Sequence, residues 1–127
     1  MGAGAGLLMV GRPPRATRVP CARLLRALTV GGRGGVPADA VAVSLNVTVT
    51  GATGAGYVTV FPCGSVQPNA SNVNFVGGQV IANAVLSKVG TNAQVCVFTN
   101  VATHLVIDVN AFFPPGSTFW ALSPARL

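Results

Sequence analysis

With 127 residues, half of them hydrophobic, the chain has the length of one domain and enough apolar side chains for a core. Charged residues make up only 8% of the chain, against about a quarter in ordinary globular domains. The net charge of +6 is concentrated in the first 33 residues, because from Gly34 onward Lys88 and Arg126 balance Asp39 and Asp108. A nucleic-acid binder needs basic residues on its folded surface, so this distribution argues against that class.

The first 26 residues are rich in proline and arginine and show no hydrophobic period. We therefore expect an unstructured leader over 1–26 that does not pack into the domain. Its apolar stretch, residues 2–11, is too short for a membrane span and has no basic segment before it, so it makes a poor signal peptide. The first strand is expected to begin near Ala27.

Residues 41–50 carry the clearest pattern in the chain, because aliphatic residues alternate there with small and polar ones. A period of two over this length predicts a strand with one buried and one exposed face. A glycine-rich loop over 51–56 and an apolar run over 57–61 follow. We expect residues 41–61 to form a hairpin.

Further strand patterns follow, separated by short turns, at residues 72–76, 79–89, 94–99 and 103–113. A proline pair and a glycine at 114–116 end the domain, which is expected to span 27–116, and residues 117–127 form a C-terminal extension. Seven or eight strands without a long helix predict an all-β fold, either an antiparallel β-sandwich or a jelly roll.

Few side chains in this composition can carry catalysis. The chain has two acidic residues and one histidine. His104 and Asp108 stand four positions apart on one predicted strand, which separates them by about 13 Å, too far for a triad hydrogen bond. No phosphate-binding loop and no metal-ligand spacing is present. We expect no enzymatic activity, no cofactor and no metal site.

Polar residues inside strand patterns are the remaining candidates for a ligand face. Asn46, Asn74, Asn83 and Asp108 occupy strand positions that disfavour such side chains, and Trp120 lies beyond the double proline. Amides and an aromatic ring suit a sugar ligand. The alternative is that the polar side chains bond backbone groups at bulges and sheet corners. We expect the structural role to come first and keep the ligand face as the alternative.

Two of the three cysteines, Cys63 and Cys96, lie in or beside predicted strands, whereas Cys21 lies in the leader. A disulfide between the first two would stabilise the fold by roughly 3–4 kcal/mol through loop-closure entropy. The alternative is a pair of buried free thiols that pack as small hydrophobic groups.

Several segments in a fixed order carry a family resemblance. They are residues 35–48 (GVPADAVAVSLNVT), 56–64 (GYVTVFPCG), 69–75 (NASNVNF), 83–85 (NAV), 94–98 (QVCVF) and 106–110 (VIDVN). Together they resemble a β-rich repeat domain of exported actinobacterial proteins, over about two-thirds of the chain. The resemblance favours the Cys63–Cys96 bridge. It implies a non-catalytic extracellular or cell-envelope module, either a structural spacer or an adhesion unit. A carbohydrate-binding module for a cell-wall or environmental polysaccharide is the alternative.

The chain departs from this family before the turn at residues 36–39. Family repeats open with an Arg-Leu-Leu-Asp-Thr-Arg-like motif and have enough chain before that turn for another strand. Here residues 22–25 begin the motif, but Arg26 and Ala27 replace its Asp-Thr pair. We therefore expect an unpaired sheet edge or an apolar groove where the missing strand would lie. Residues 117–127 resemble the start of a further repeat. Residues 119–127 are expected to fill the groove of their own chain or of a neighbour, or neighbouring repeats of the same kind to associate through the edge.

Overall fold

The computed structural model describes residues 24–127. The strands, in chain order, are β1 (Leu24–Thr29), β2 (Ala42–Thr50), β3 (Gly56–Pro62), β4 (Val73–Phe75), β5 (Ile81–Lys88), β6 (Gln94–Thr99) and β7 (His104–Phe113). A short 3-10 turn, Thr91–Ala93, precedes β6. The prediction of an all-β fold is confirmed, and the strands form two antiparallel sheets packed as a β-sandwich. Within residues 24–127 no helix is long and apolar enough to cross a membrane.

The two sheets contain four and three strands. The four-stranded sheet has the order β1-β6-β3-β4, and the three-stranded sheet has the order β5-β2-β7. The alternation predicted for β2 is present, since Val43, Leu45, Val47 and Val49 are buried and the intervening side chains are half-exposed. β2 lies at the centre of its sheet, so its buried face supplies the middle of the core.

The predicted hairpin over residues 41–61 is wrong. β2 pairs with β5 and β7, whereas β3 pairs with β4 and β6, so these consecutive strands lie in different sheets. Loop 51–55 carries the chain across the sandwich. The reason is that each strand has a buried valine face, and Val47 of β2 joins Val58 and Val60 of β3 in one core cluster. The two strands bury more apolar surface face to face than they would side by side.

β3 is buried on both faces because the segment 64–72 covers its outer side. The Thr59 hydroxyl donates a hydrogen bond to the carbonyl of Ala70 at 2.6 Å. The backbone amide of Val60 donates to Oδ1 of Asn72 at 2.7 Å. As a result Thr59 is fully buried although it lies on the face opposite the core.

Cys63 and Cys96 form a disulfide, with their Cα atoms 5.0 Å apart, and the predicted bridge is confirmed. It joins the residue after β3 to the middle of β6, so it fastens the two inner strands of the four-stranded sheet. Cys21 lies outside the described residues.

β1 begins at Leu24, three residues before the expected start at Ala27. Residues 24–26, predicted to belong to the leader, therefore belong to the sandwich, and positions 1–23 lie outside the described part. β1 pairs with β6 along its whole length, which satisfies the backbone of one of its edges. Arg26 is tolerated because β1 is an edge strand and this side chain is exposed.

Candidate functional site

The structure brings together two of the five residues considered for a ligand face. Asn46 and Asp108 are direct cross-strand partners in the β2–β7 ladder. Asn74 lies in β4 of the other sheet, and Asn83 lies in β5, beside the boundary between the sheets. Trp120 lies in the C-terminal extension and is 84% exposed.

Asn83 and Asn74 have hydrogen-bond partners within the protein. Nδ2 of Asn83 donates to the carbonyl of Asn72 at 2.8 Å, and its Oδ1 accepts from the amide of Ala84 at 3.1 Å. The Ser71 hydroxyl donates to Oδ1 of Asn74 at 2.8 Å. Asn83 thus bonds backbone groups, as the structural alternative predicts, and it links β5 to the segment before β4.

Two other asparagines, which the sequence patterns did not single out, organise β3. Oδ1 of Asn72 accepts from the amide of Val60, and Oδ1 of Asn100 accepts from the amide of Tyr57 at 2.8 Å. Each side-chain oxygen accepts the hydrogen bond that a neighbouring strand would accept, at a β3 residue beyond the end of the ladder with β4 or with β6. Their position beside predicted strand ends is a usable signal, because short polar side chains at such places commonly bond nearby backbone.

The outer face of the three-stranded sheet, formed by outward side chains of β5, β2 and β7, is a surface with polar side chains and few charges. Its side chains form cross-strand rows: Leu86–Ser44–Ala111, Ala84–Asn46–Asp108, Ala82–Thr48–Val106 and, between β2 and β7, Thr50–His104. The members on β2 are half-exposed and those on β5 and β7 are exposed. Nδ2 of Asn46 donates to Oγ1 of Thr48 at 3.4 Å, a weak bond that leaves the amide free for a ligand.

The two long sides of the sandwich differ. On the side of β4 and β5, called the closed side, the hydrogen bond between Asn83 and Asn72 joins the sheets above buried Val73, Phe75 and Val85. On the side of β1 and β7, called the open side, no pairing joins the two sheets among the described strands.

The open side contains an apolar groove of about 120 Å³. Its lining is Leu28, Thr29, Val30, Arg33, Gly34, Leu45, Ile107 and Val109. Arg33 stands at its rim, where its Nη1 donates to the carbonyl of Thr29 at 3.2 Å. Partial burial lowers the pKa of this guanidinium, which stays charged at neutral pH because the pKa of arginine starts so high.

We expected an unpaired sheet edge or an apolar groove; among the described strands the outer edge of β7 has no ladder, and this groove lies beside it. The C-terminal extension does not line the groove, contrary to one expectation. Phe119 instead stacks on Phe113 with ring centroids 4.2 Å apart, and Trp120 and Leu122 are exposed. The stacked pair holds the start of the extension at the end of β7, and none of the extension's residues lines the groove.

Titratable groups are sparse on this surface. Within the described range 24–127, no three histidine, cysteine or acidic side chains lie close enough together to hold a metal ion. His104 and Asp108 lie on the same face of β7 with Val106 between them. The arrangement provides hydrogen-bond donors and acceptors on a flat sheet and one titratable pair at its edge.

No protein-family model, curated protein or solved structure matches the chain.

Proposed function

We propose that the chain is a non-catalytic module that acts outside the cell or in the cell envelope, as a structural spacer or adhesion unit. The observation that carries the proposal is the open outer face of the three-stranded sheet, on which Ser44, Asn46 and Thr48 stand in a row along the central strand. A flat face with hydrogen-bonding groups and little charge suits contact with another extended, uncharged surface.

The position of this face in the fold favours a binding role. β2 is hydrogen-bonded on both edges, and its inner side chains are among the most buried of residues 24–127, so its outer residues are held on a rigid support. A site on strands keeps its geometry better than a site on loops. The face can therefore bind without reorganising the chain.

The disulfide supports the proposed location. Disulfides persist in oxidising compartments and are rare where the cytosol keeps thiols reduced. Cys63–Cys96 joins two inner strands of the fold and is inaccessible on the Cys63 side, which is 8% exposed. A structural bridge of this kind fits an exported protein.

Co-sedimentation with envelope fragments tests the adhesion function. We expect the full chain to pellet with isolated envelope fragments and the Thr48→Arg variant to remain in the supernatant, because a long charged side chain would stand at the centre of the face. Val66→Arg is the matched control, since Val66 is 90% exposed and lies in the segment that covers the other sheet. Failure of the wild-type chain to pellet, or equal loss in both variants, would refute the role of this face.

A carbohydrate ligand is the second candidate, favoured by the Asn46–Asp108 pair. Their amide and carboxylate stand side by side on the exposed face and can hydrogen-bond neighbouring sugar hydroxyls. Protease-treated envelope fragments separate the two functions. Binding that survives protease, is competed by soluble oligosaccharide and is lost in Asn46→Ala supports the carbohydrate ligand. Binding that protease abolishes supports adhesion to protein instead.

A further inference from the structure

We propose that the outer edge of β7 pairs antiparallel with the same edge of a second copy of this chain, in the register centred on Val106. The proposal concerns the strand edge and does not depend on what the outer sheet face binds. It starts from a comparison of the outermost strands of the two sheets, which are β1 and β4 in one and β5 and β7 in the other.

Three of these edge strands are protected against pairing with another chain. β4 is only three residues long, and β1 carries the exposed Arg26. β5 ends in Lys88, and the backbone amide of Ala84 already donates a hydrogen bond to Oδ1 of Asn83, so it is not free to pair with another strand. Short length, charge and local capping are the usual ways in which proteins prevent edge-to-edge association.

β7 is neither short nor capped by a local side chain, and its one formally charged side chain is Asp108, which the proposed pairing matches with His104 of a second copy. It is the longest described strand, with ten residues, and contains no lysine, arginine, proline or glycine. Its one strand partner among the described elements is β2, so the backbone groups of its other edge have no ladder. A bulge at Asn110, where the register with β2 shifts between Ser44 and Leu45, leaves His104–Val109 as the regular part of this edge.

Complementarity between an imidazole N–H donor and a carboxylate acceptor on β7 selects the occupant and the register. His104, Val106 and Asp108 share the outer face of the strand. When Val106 lies opposite Val106 of a second copy, His104 of each chain lies opposite Asp108 of the other. Side chains in directly opposed positions are about 4.5–5.5 Å apart at their Cβ atoms, so each imidazole can donate to a carboxylate.

Other registers on the same face lose this match. Centring the pair on Asp108 opposes two carboxylates, and centring it on Ile107 places each Asp108 opposite Val106. Only the register centred on Val106 forms both unlike pairs at once. A self-complementary edge with two-fold symmetry is what a closed dimer of identical chains requires.

The inner face of β7 agrees with this register. Leu105 and Ile107 are half-buried and pack against the core at the open side. In the Val106-centred pair, Leu105 of each chain lies opposite Ile107 of the other. The second copy thereby covers apolar surface that the sandwich leaves partly exposed, and it joins the two three-stranded sheets into one six-stranded sheet.

Sedimentation equilibrium of charge-swap variants tests the proposal, using a Cys21→Ser background so that an intermolecular disulfide cannot imitate association. We expect His104→Asp and Asp108→His each to weaken the dimer about tenfold, because each puts like or unmatched groups opposite one another twice per dimer. The double variant restores the unlike pairs, so its dissociation constant should return to within about threefold of the starting value.

Val106→Lys and Leu86→Lys provide the control for the edge itself. Val106 and Leu86 are similarly exposed, at 49% and 54%, on opposite strands of the same sheet. Lysine at 106 should abolish the dimer, whereas lysine at 86 should leave it intact, and thermal unfolding checks that each variant is folded. A chain that stays monomeric at millimolar concentration overturns the proposal. So does a double charge swap that fails to restore association.

Discussion

The closed and open sides of the sandwich are both formed by edge strands, yet the gap between the two sheets is bridged on one side and left as a groove on the other. On the closed side, Asn83 of β5 reaches the backbone of Asn72 and ties the two sheets together. On the open side, β1 and β7 leave an apolar groove between them. Apolar side chains therefore contribute to the core on both sides. Only on the closed side does a polar side chain, that of Asn83, bond the backbone across the gap between the sheets.

The scarcity of charge makes this difference consequential. Proteins usually protect sheet edges with charged side chains, and only 8% of this chain is charged. Among the described edge strands β1 has Arg26 and β5 has Lys88, whereas β7 has neither lysine nor arginine and its one formally charged side chain is Asp108. The edge of β7 is therefore where we expect contact with another chain.

The largest effect is expected from the disulfide, because both sides rest on the inner strands that it joins. Replacing Cys63 and Cys96 together with alanine should lower the free energy of unfolding by about 3–4 kcal/mol, since the bridge restricts a long loop in the unfolded chain. Urea unfolding measures the loss, and reduction of the wild-type protein should reproduce it. A loss below about 1 kcal/mol would show that sheet pairing and core packing stabilise the fold without a large contribution from the disulfide.

Core truncations on the two sides give the next largest effect. Val85 on the closed side is 3% exposed, whereas Val109 on the open side is half-buried and lines the groove. We expect Val85→Ala to cost about 2 kcal/mol and Val109→Ala less than about 1 kcal/mol, because less apolar contact is lost where the core is open. Equal losses in urea unfolding would mean that the groove is filled in solution.

Removing the closing hydrogen bond should have a smaller effect. Asn83→Ala is expected to cost about 1 kcal/mol, because it frees the Asn72 carbonyl and the Ala84 amide. Asn74→Ala is the matched control, since Asn74 accepts a bond from the Ser71 hydroxyl and is exposed, and it should cost about 0.5 kcal/mol or less. Thermal unfolding compares the two, and a larger loss at Asn74 would contradict the closing role of Asn83.

The smallest effect on stability is expected at Lys88, the charge on the edge strand of the closed side. Lys88→Val should change the free energy of unfolding by no more than about 0.5 kcal/mol because this side chain is exposed. It should nevertheless raise the mass measured by light scattering at high concentration, since it removes an edge charge. An unchanged mass would show that Asn83 alone protects this edge.

The sequence predicted individual strands better than their partners. The alternation over β2 and the short runs of β3 and β6 correspond to strands within a few residues, because a buried face imposes a period of two. The hairpin prediction failed because that period shows which side chains are buried and gives no information about which sheet the strand joins. Pairing of β2 with β7 joins residues far apart in the chain, beyond the range of local patterns.

The candidate surfaces were predicted unevenly for the same reason. The unpaired outer edge of β7 cannot be read from the local pattern of β7, and an edge of this kind was expected only from a family resemblance. The roles of Asn72 and Asn100 were missed, because each depends on a β3 amide that loses its neighbour only in the folded sheet. The sequence also did not show that Asn46 and Asp108 lie side by side whereas Asn83 lies opposite Val47, because this depends on the register of the β2 ladders.

Amide hydrogen exchange, followed by NMR at low and high protein concentration, tests the contrast between the two sides most directly. The Ala84 amide on the closed side is bonded to Asn83 and should exchange slowly at both concentrations. Outward amides of β7 between His104 and Asp108 should exchange rapidly in dilute solution and become protected when a second copy pairs with them. Slow exchange of these β7 amides in dilute solution, or rates independent of concentration, would contradict an open edge that binds another chain.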